Sequence, residues 1–263
     1  MMTATNTRSQ ARESLSNKWG KGALITLAYA FISWILNYLT SMFDKSSMKF
    51  IIELIVFLIE LPLSFGLIIS FIRLKRNEDV KAFDFLSNFS ENFKRAISIT
   101  WNIILKMWIP IVMYIIAIIL LGTSAFTSFT SVLSTASIGT TSIVLIIVGV
   151  VLLAFACVYG FIKGLLYWLA YYIAYDNPEL SAKEAVEKSA ELMNGNRGNI
   201  FVLQLSFIGW AILAAFTLGI GFLWLAPYVQ VANVCFYEEV AGVNSVSTDS
   251  ANNSEDTKTE ENN

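Results

Sequence analysis

Apolar runs of roughly eighteen residues or more recur along this chain, and a run of that length carried as a helix crosses a hydrocarbon layer about 30 Å thick. They lie at 22–43, 50–74, 97–121, 142–170, 200–217 and 222–240. Composition agrees: 56% of residues are hydrophobic and 14% charged, with a mean hydropathy of +0.60. A soluble domain carries about 45–50% apolar and about 25% charged residues. The sequence predicts an all-α fold, a polytopic transmembrane bundle of six spans filling residues 22–240.

The last two spans need separating. One helix from Ile200 to Val240 would be about 60 Å long, twice the layer. The chain must turn back, and "TLGIG", Thr217 to Gly221, is the glycine-rich point near the middle. Before the first span lies a polar arm, 1–21, with no clear small-x-small cleavage site, so that span is expected to be retained. After the last, residues 241–263 hold five acids, one lysine and no aromatic residue, the composition of a disordered cytoplasmic tail.

Orientation follows from the basic residues of the loops. Arg8, Arg12, Lys18 and Lys21 lie in the arm. Arg73, Lys75, Arg76, Lys81, Lys94 and Arg95 follow the second span, and Lys183, Lys188 and Arg197 the fourth. The other side has Lys45 and Lys49, and its loop 122–140 is uncharged. Both termini are therefore expected in the cytoplasm. Lys21, Lys94, Arg95, Arg197 and Trp19 are read as interfacial anchors, each basic residue worth about 1 kcal/mol beside an anionic leaflet.

Each inner segment also reads as an amphipathic surface helix. "ARESLSNKWGKG" aligns Ala11, Leu15 and Trp19; "FDFLSNFSENFKRA" aligns Phe83, Leu86 and Phe93. In "LSAKEAVEKSAELMNG", Ser181 and Glu184 have capping-box spacing, Ala182, Val186 and Met193 share a face, and Gly195 suits the stop. These helices lead into the junctions "KGALITL", "KRAISIT" and "RGNIFVL". Two accounts fit: a threefold repeat of surface helix plus membrane hairpin, or the general need of an inward-facing crossing for a basic residue and an apolar start.

The stretches "ARESLSNKWGKGALITLAYAFIS" and "DNPELSAKEAVEKSAELMNGNRGNIFVLQLSFIGWAILAAFTLGIGFLWLAPYVQVANVCFYEEV" resemble the bacterial membrane proteins of the domain-of-unknown-function 975 family. The resemblance covers most of residues 7–240, with "LSFIGW", "LGIG" and "PYV" in the expected order after "LMNG". It implies a multi-span plasma-membrane protein and carries over no activity.

Four ionisable groups fall inside spans: Glu53, Glu60, Lys106 and Lys163. Each costs about 2.5–3.5 kcal/mol at mid-layer unless paired or hydrated. Glu60 and Lys106 both fall near mid-depth, which makes them candidates for an intramembrane ion pair, structural or ion-conducting. Glu53 and Lys163 fit edge positions from which a long side chain reaches water.

With no histidine, no P-loop, no GxSxG and no CxxC, the sequence offers no metal site, no cofactor motif and no catalytic constellation. No nucleic-acid partner is implied. The partners expected are the lipid bilayer and a membrane or cytoplasmic protein. Two functions fit: a non-enzymatic membrane accessory or interaction module, and a transporter or permease for a small or amphipathic solute. Broken helices around a polar mid-membrane cavity would favour transport, a dry packed core the accessory role.

Overall fold

The computed structural model describes residues 3–43, 48–87, 89–135 and 139–243. Lys45 and nearly all of the expected acidic tail lie outside the described residues. Among the described residues every regular element is helical: α1 (Ala4–Ser14), α2 (Trp19–Ser41), α3 (Lys49–Lys75), a 3-10 turn (Asp84–Leu86), α4 (Phe89–Lys106), α5 (Trp108–Thr135), α6 (Thr140–Leu166), α7 (Ala170–Asp176), α8 (Ala182–Met193), α9 (Arg197–Leu205), α10 (Ile208–Phe216) and α11 (Phe222–Ala241). Five stretches are long and apolar enough to cross a membrane: Trp19–Ser41, Lys49–Lys75, Trp108–Ser134, Thr140–Asp176 and Arg197–Phe216.

Burial divides the molecule into a body and three hairpins. Along α3, Phe50, Ile51, Leu54 and Phe57 are exposed, whereas Leu63, Phe65, Phe71 and Leu74 are buried. In α2 the order reverses, with Ile25 and Ala28 buried and Phe31, Trp34 and Tyr38 exposed. The body is made from the inner ends of α2 and α3 together with α1, α7, α8, the start of α9 and the second half of α11. It buries Leu15, Ile72, Leu169, Val186, Ile200 and Phe236 in one core. The hairpins α2–α3, α5–α6 and α10–α11 project from it with large apolar side chains uncovered. That distribution makes no sense in water and is the expected one when lipid covers the hairpins.

Several local expectations hold. Ser181 and Glu184 form the reciprocal capping box of α8, and Gly195 follows its end at φ 93°. α8 buries Ala185, Val186, Ser189 and Met193 along one face, with Ala182 half-buried against the same core. The chain reverses at Thr217–Gly221, where Leu218 and Gly219 take φ of 54° and 88° and the Gly221 amide donates to the Thr217 hydroxyl.

Others are corrected. The third span does not run from 97 to 121: residues 97–106 belong to α4, the helix breaks at Met107, and the long apolar helix is α5. Pro110 explains the break, since it lacks an N–H and its ring collides with the carbonyl four residues back, at Lys106. The uncharged outer loop 122–140 is mostly helix, because α5 runs on to Thr135 and α6 starts at Thr140. Hydroxyls of Thr123, Ser124, Thr127 and Thr130 each donate to a carbonyl three residues back, so these four are satisfied without water.

The segment 83–96 is not one helix. A 3-10 turn swings Phe85 into the core and leaves Phe83 and Leu86 outside. In the arm, the helix ends at Ser14, a turn follows with Asn17 at φ 63°, and Trp19 begins α2.

Phe85 reaches the core because Gly66 leaves a notch in α3. A Cβ at Gly66 would overlap the Phe85 carbonyl oxygen, a backbone atom that cannot swing aside. Gly66→Ala is therefore expected to destabilise the chain by about 1–3 kcal/mol. Gly164→Ala, with open space around it in α6, is expected to be neutral or stabilising. Thermal unfolding of both variants in one detergent measures the difference.

Candidate functional site

The predicted pair does not form. Lys106 donates to Glu187 of α8 at 3.0 Å, while Glu60 accepts from Asn37 of α2 at 3.5 Å. The break at Met107 accounts for this: Lys106 ends α4, the helix that packs on α8. Glu53 pairs with Lys49 at 3.7 Å, and Lys163 sits 5.8 Å from the Tyr159 ring.

The expected anchors divide in the same way. Lys94 is exposed, and Arg197 donates to Asn194 at 3.2 Å. Lys21 instead bonds Asp79 at 2.8 Å, which holds that carboxyl below its usual range. Trp19 packs on Tyr228 with ring centres 6.0 Å apart. Arg95 is engaged elsewhere: its two terminal nitrogens donate to the carbonyls of Ala174, Asn177, Pro178 and Leu180, capping the last turn of α7.

Where the inner ends of α3, α7 and α11 meet, the structure assembles a buried ionic cluster that sequence reasoning missed. Arg76 grips Asp176 with two parallel bonds of 2.7 Å and reaches Glu238 through Nε at 3.1 Å. Lys75 also bonds Glu238, whose side chain is 2% exposed. The Tyr237 hydroxyl donates to Asp176 at 2.9 Å. Held by Asp176 and then Glu238, the Arg76 guanidinium binds its proton more tightly than a free one. Lys18 joins the edge through the Leu74 carbonyl at 2.9 Å; burial, then the Lys21 and Lys75 charges, lowers its pKa.

Above the cluster the Tyr237 ring lies 5.5 Å from that of Tyr172. Tyr172 borders a cavity of about 490 Å³ lined by Tyr29, Ser64, Trp168, Gln204 and Asn233. Gln204 donates to the Asn233 amide oxygen at 2.6 Å across the α9–α11 contact. The α2–α3 hairpin, the α6–α7 connection, α7, α9 and α11 contribute to this lining, which is mostly apolar and carries no charged side chain. Such a cavity suits a neutral hydrogen-bonding group better than an ion. Asp176 had a sufficient reading as a turn residue, and Glu238 lay near the end of an apolar run. The signal available was that two acids and two bases stand at the inner ends of three spans.

Breaking a buried pair by removing one charge costs about 3–5 kcal/mol, because the partner stays buried alone. Glu238→Gln removes the buried charge while Arg76 keeps Asp176 and both cations stay partly exposed, so it is expected to destabilise by less, about 1–3 kcal/mol. Arg76→Lys is expected to be damaging too, since an ammonium cannot supply the double bond to Asp176. Thermal melts and elution profiles in detergent read both, with Lys94→Gln as an exposed-charge control that leaves the melt unchanged.

No curated protein and no solved structure matches this chain. A family model matches it from residue 1 to residue 244, nearly the whole of the chain. With its apolar hairpins, its capped α8 and its turn at 217–221 in place, the chain belongs to the family described as protein of unknown function, DUF975.

Proposed function

We propose that this chain is a bacterial plasma-membrane protein with both termini in the cytoplasm, serving as a non-enzymatic accessory or interaction module. The α5–α6 hairpin carries the reading. Its helices of 28 and 27 residues pack chiefly on each other, and Ile115, Ile119, Val144, Ile147, Val151 and Phe155 are left uncovered on their outer faces. An arm of this kind, fixed at its base to a rigid body, offers a membrane partner a long apolar face. The buried charges of the body are spent on one another, as a scaffold requires.

One observation favours the alternative, a transporter for a small or amphipathic solute. The uncharged cavity lies beside two helix breaks, at Tyr167–Leu169 and Ser206–Phe207, and broken helices at such cavities are a feature of transporters. Purification from native membranes in mild detergent distinguishes the two. A stoichiometric partner that is lost when α5–α6 is replaced supports the accessory role. Solute flux by the chain alone in proteoliposomes, abolished by Asn233→Leu, overturns it.

The crossing count goes with this reading. α1 lies along α11, with the Tyr228 hydroxyl donating to the Arg8 carbonyl at 3.3 Å, and Lys75 meets Glu238. Ends that share one side support an even number of crossings. We read four full crossings rather than six, with a third hairpin that only dips into the layer: Tyr228 lies about 9 Å along α11 and already meets Trp19 and the Arg8 carbonyl, and Thr217 and Gly221 share a pocket with Arg12 and Trp19. Leu218, fully exposed at the third hairpin's tip, tests this in a chain carrying Cys157→Ser and Cys235→Ala. Leu218→Cys is expected to be protected from an impermeant maleimide outside intact cells, and Arg197→Cys to react only after lysis. Reaction of residue 218 from outside would restore six crossings.

A further inference from the structure

A second pocket, of about 390 Å³, opens between α1, α2, α10 and α11. Its size falls within the range of about 300–1,000 Å³ typical of small-molecule sites. Trp19, Trp210, Leu213, Trp224, Leu225 and Tyr228 line it, with Arg12 at its edge. Three of the chain's seven tryptophans thus meet in one place. Trp210 and Trp224 are half exposed, so the pocket is open to whatever surrounds α10 and α11.

Its charged rim is unusual in this molecule. Arg12 forms it, and Arg8 stands one turn back on the same face of α1; both act electrostatically on the Tyr228 hydroxyl. Among the described residues, every other arginine has an acceptor: Arg73 has Glu78, Arg76 has Asp176, Arg95 has backbone carbonyls and Arg197 has Asn194. Among the described residues no carboxylate lies within 4.0 Å of Arg8 or Arg12, and the Arg8 Nε, like that of Arg95, is buried without an acceptor. A buried donor without a partner is costly, and a guanidinium fork matches the oxygens of a phosphodiester.

An aromatic, apolar slot beside two unneutralised guanidiniums has the two halves of an amphiphile's complement. We infer that it binds one anionic glycerophospholipid, the phosphodiester against Arg8 and Arg12 and an acyl chain between Trp210 and Trp224. The inference rests on the membrane reading above but not on the accessory role.

Native mass spectrometry of the full chain in detergent, titrated with phosphatidylglycerol or phosphatidylcholine, tests it. Wild type is expected to hold one phosphatidylglycerol on the order of tenfold more tightly than phosphatidylcholine. The double variant Arg8→Gln, Arg12→Gln is expected to bring the two lipids level. Leu213→Trp, which fills the slot and leaves both guanidiniums in place, is expected to weaken both lipids. Should the double variant lose its native elution, Arg12→Gln alone takes its place, since Arg12 is exposed. Glycerol 3-phosphate, the headgroup without chains, is expected not to compete. Equal affinity for the two lipids in wild type, unchanged preference in the arginine variant, full competition by glycerol 3-phosphate, or a peptide or second copy occupying the slot would each overturn it. The chain's need for detergent is a separate readout, so the membrane reading can stand if the lipid site fails.

Discussion

The grip of Arg76 on Asp176, with Glu238 lodged between Lys75 and Arg76, is the contact on which the arrangement of the hairpins depends. It joins residues 100 and 162 positions apart in the chain. By itself such a buried cluster is weak evidence of stability, because desolvating the charges offsets most of their attraction. Its effect is better described as selection. Helices surrounded by lipid gain little from hiding apolar surface from one another, and three greasy helix ends could slide or rotate at small cost. A fork of two parallel bonds admits one register and one rotation of α3 against α7, while Glu238 fixes α11 to α3 and the Tyr237 hydroxyl fixes it to α7.

The position of the cluster follows from helix electrostatics. α3, α7 and α11 all arrive with their C-terminal ends, where the backbone dipole favours cations and disfavours anions. Lys75 and Arg76 are well placed at the end of α3; Asp176 and Glu238 are badly placed at the ends of α7 and α11. Each acid therefore needs a cation from another helix, and α3 has two. Arg95 completes the pattern by covering the last carbonyls of α7 from α4. The charge pattern is unfavourable within each helix and consistent only when the three are assembled.

This explains which parts of the fold were legible in the sequence. Features fixed by local physics could be read: the apolar runs, the Ser181–Glu184 box, the stop at Gly195 and the reversal at Thr217–Gly221 need only neighbouring residues. The Glu60–Lys106 pairing failed because a sequence gives depth along a helix but not the direction a side chain faces, nor that Pro110 would end α4 at Lys106. The ionic cluster failed for a related reason, since each of its members has an adequate local explanation. The candidate site was therefore legible as a set of charged helix ends and illegible as a constellation. The loop at 122–140 misled through composition: serine and threonine mark loops in water, where their hydroxyls compete for the backbone.

In the α5–α6 hairpin the same hydroxyls do the reverse. Most are paired with carbonyls of their own helix, Ser128 being the buried exception, and their small volume lets the helices close together. Ser124 and Ser142 are both buried between them, Ser142 bonds Thr127, and a Cβ at Gly149 would come within 2.9 Å of Leu121. Gly160 rests on Pro110 in the same manner near the base. In lipid, close backbone approach and interhelical hydrogen bonds supply the attraction that the hydrophobic effect does not. The hairpin is thus held by contacts of its own and needs little support from the body, so its outer faces are free of structural duty along nearly their whole length.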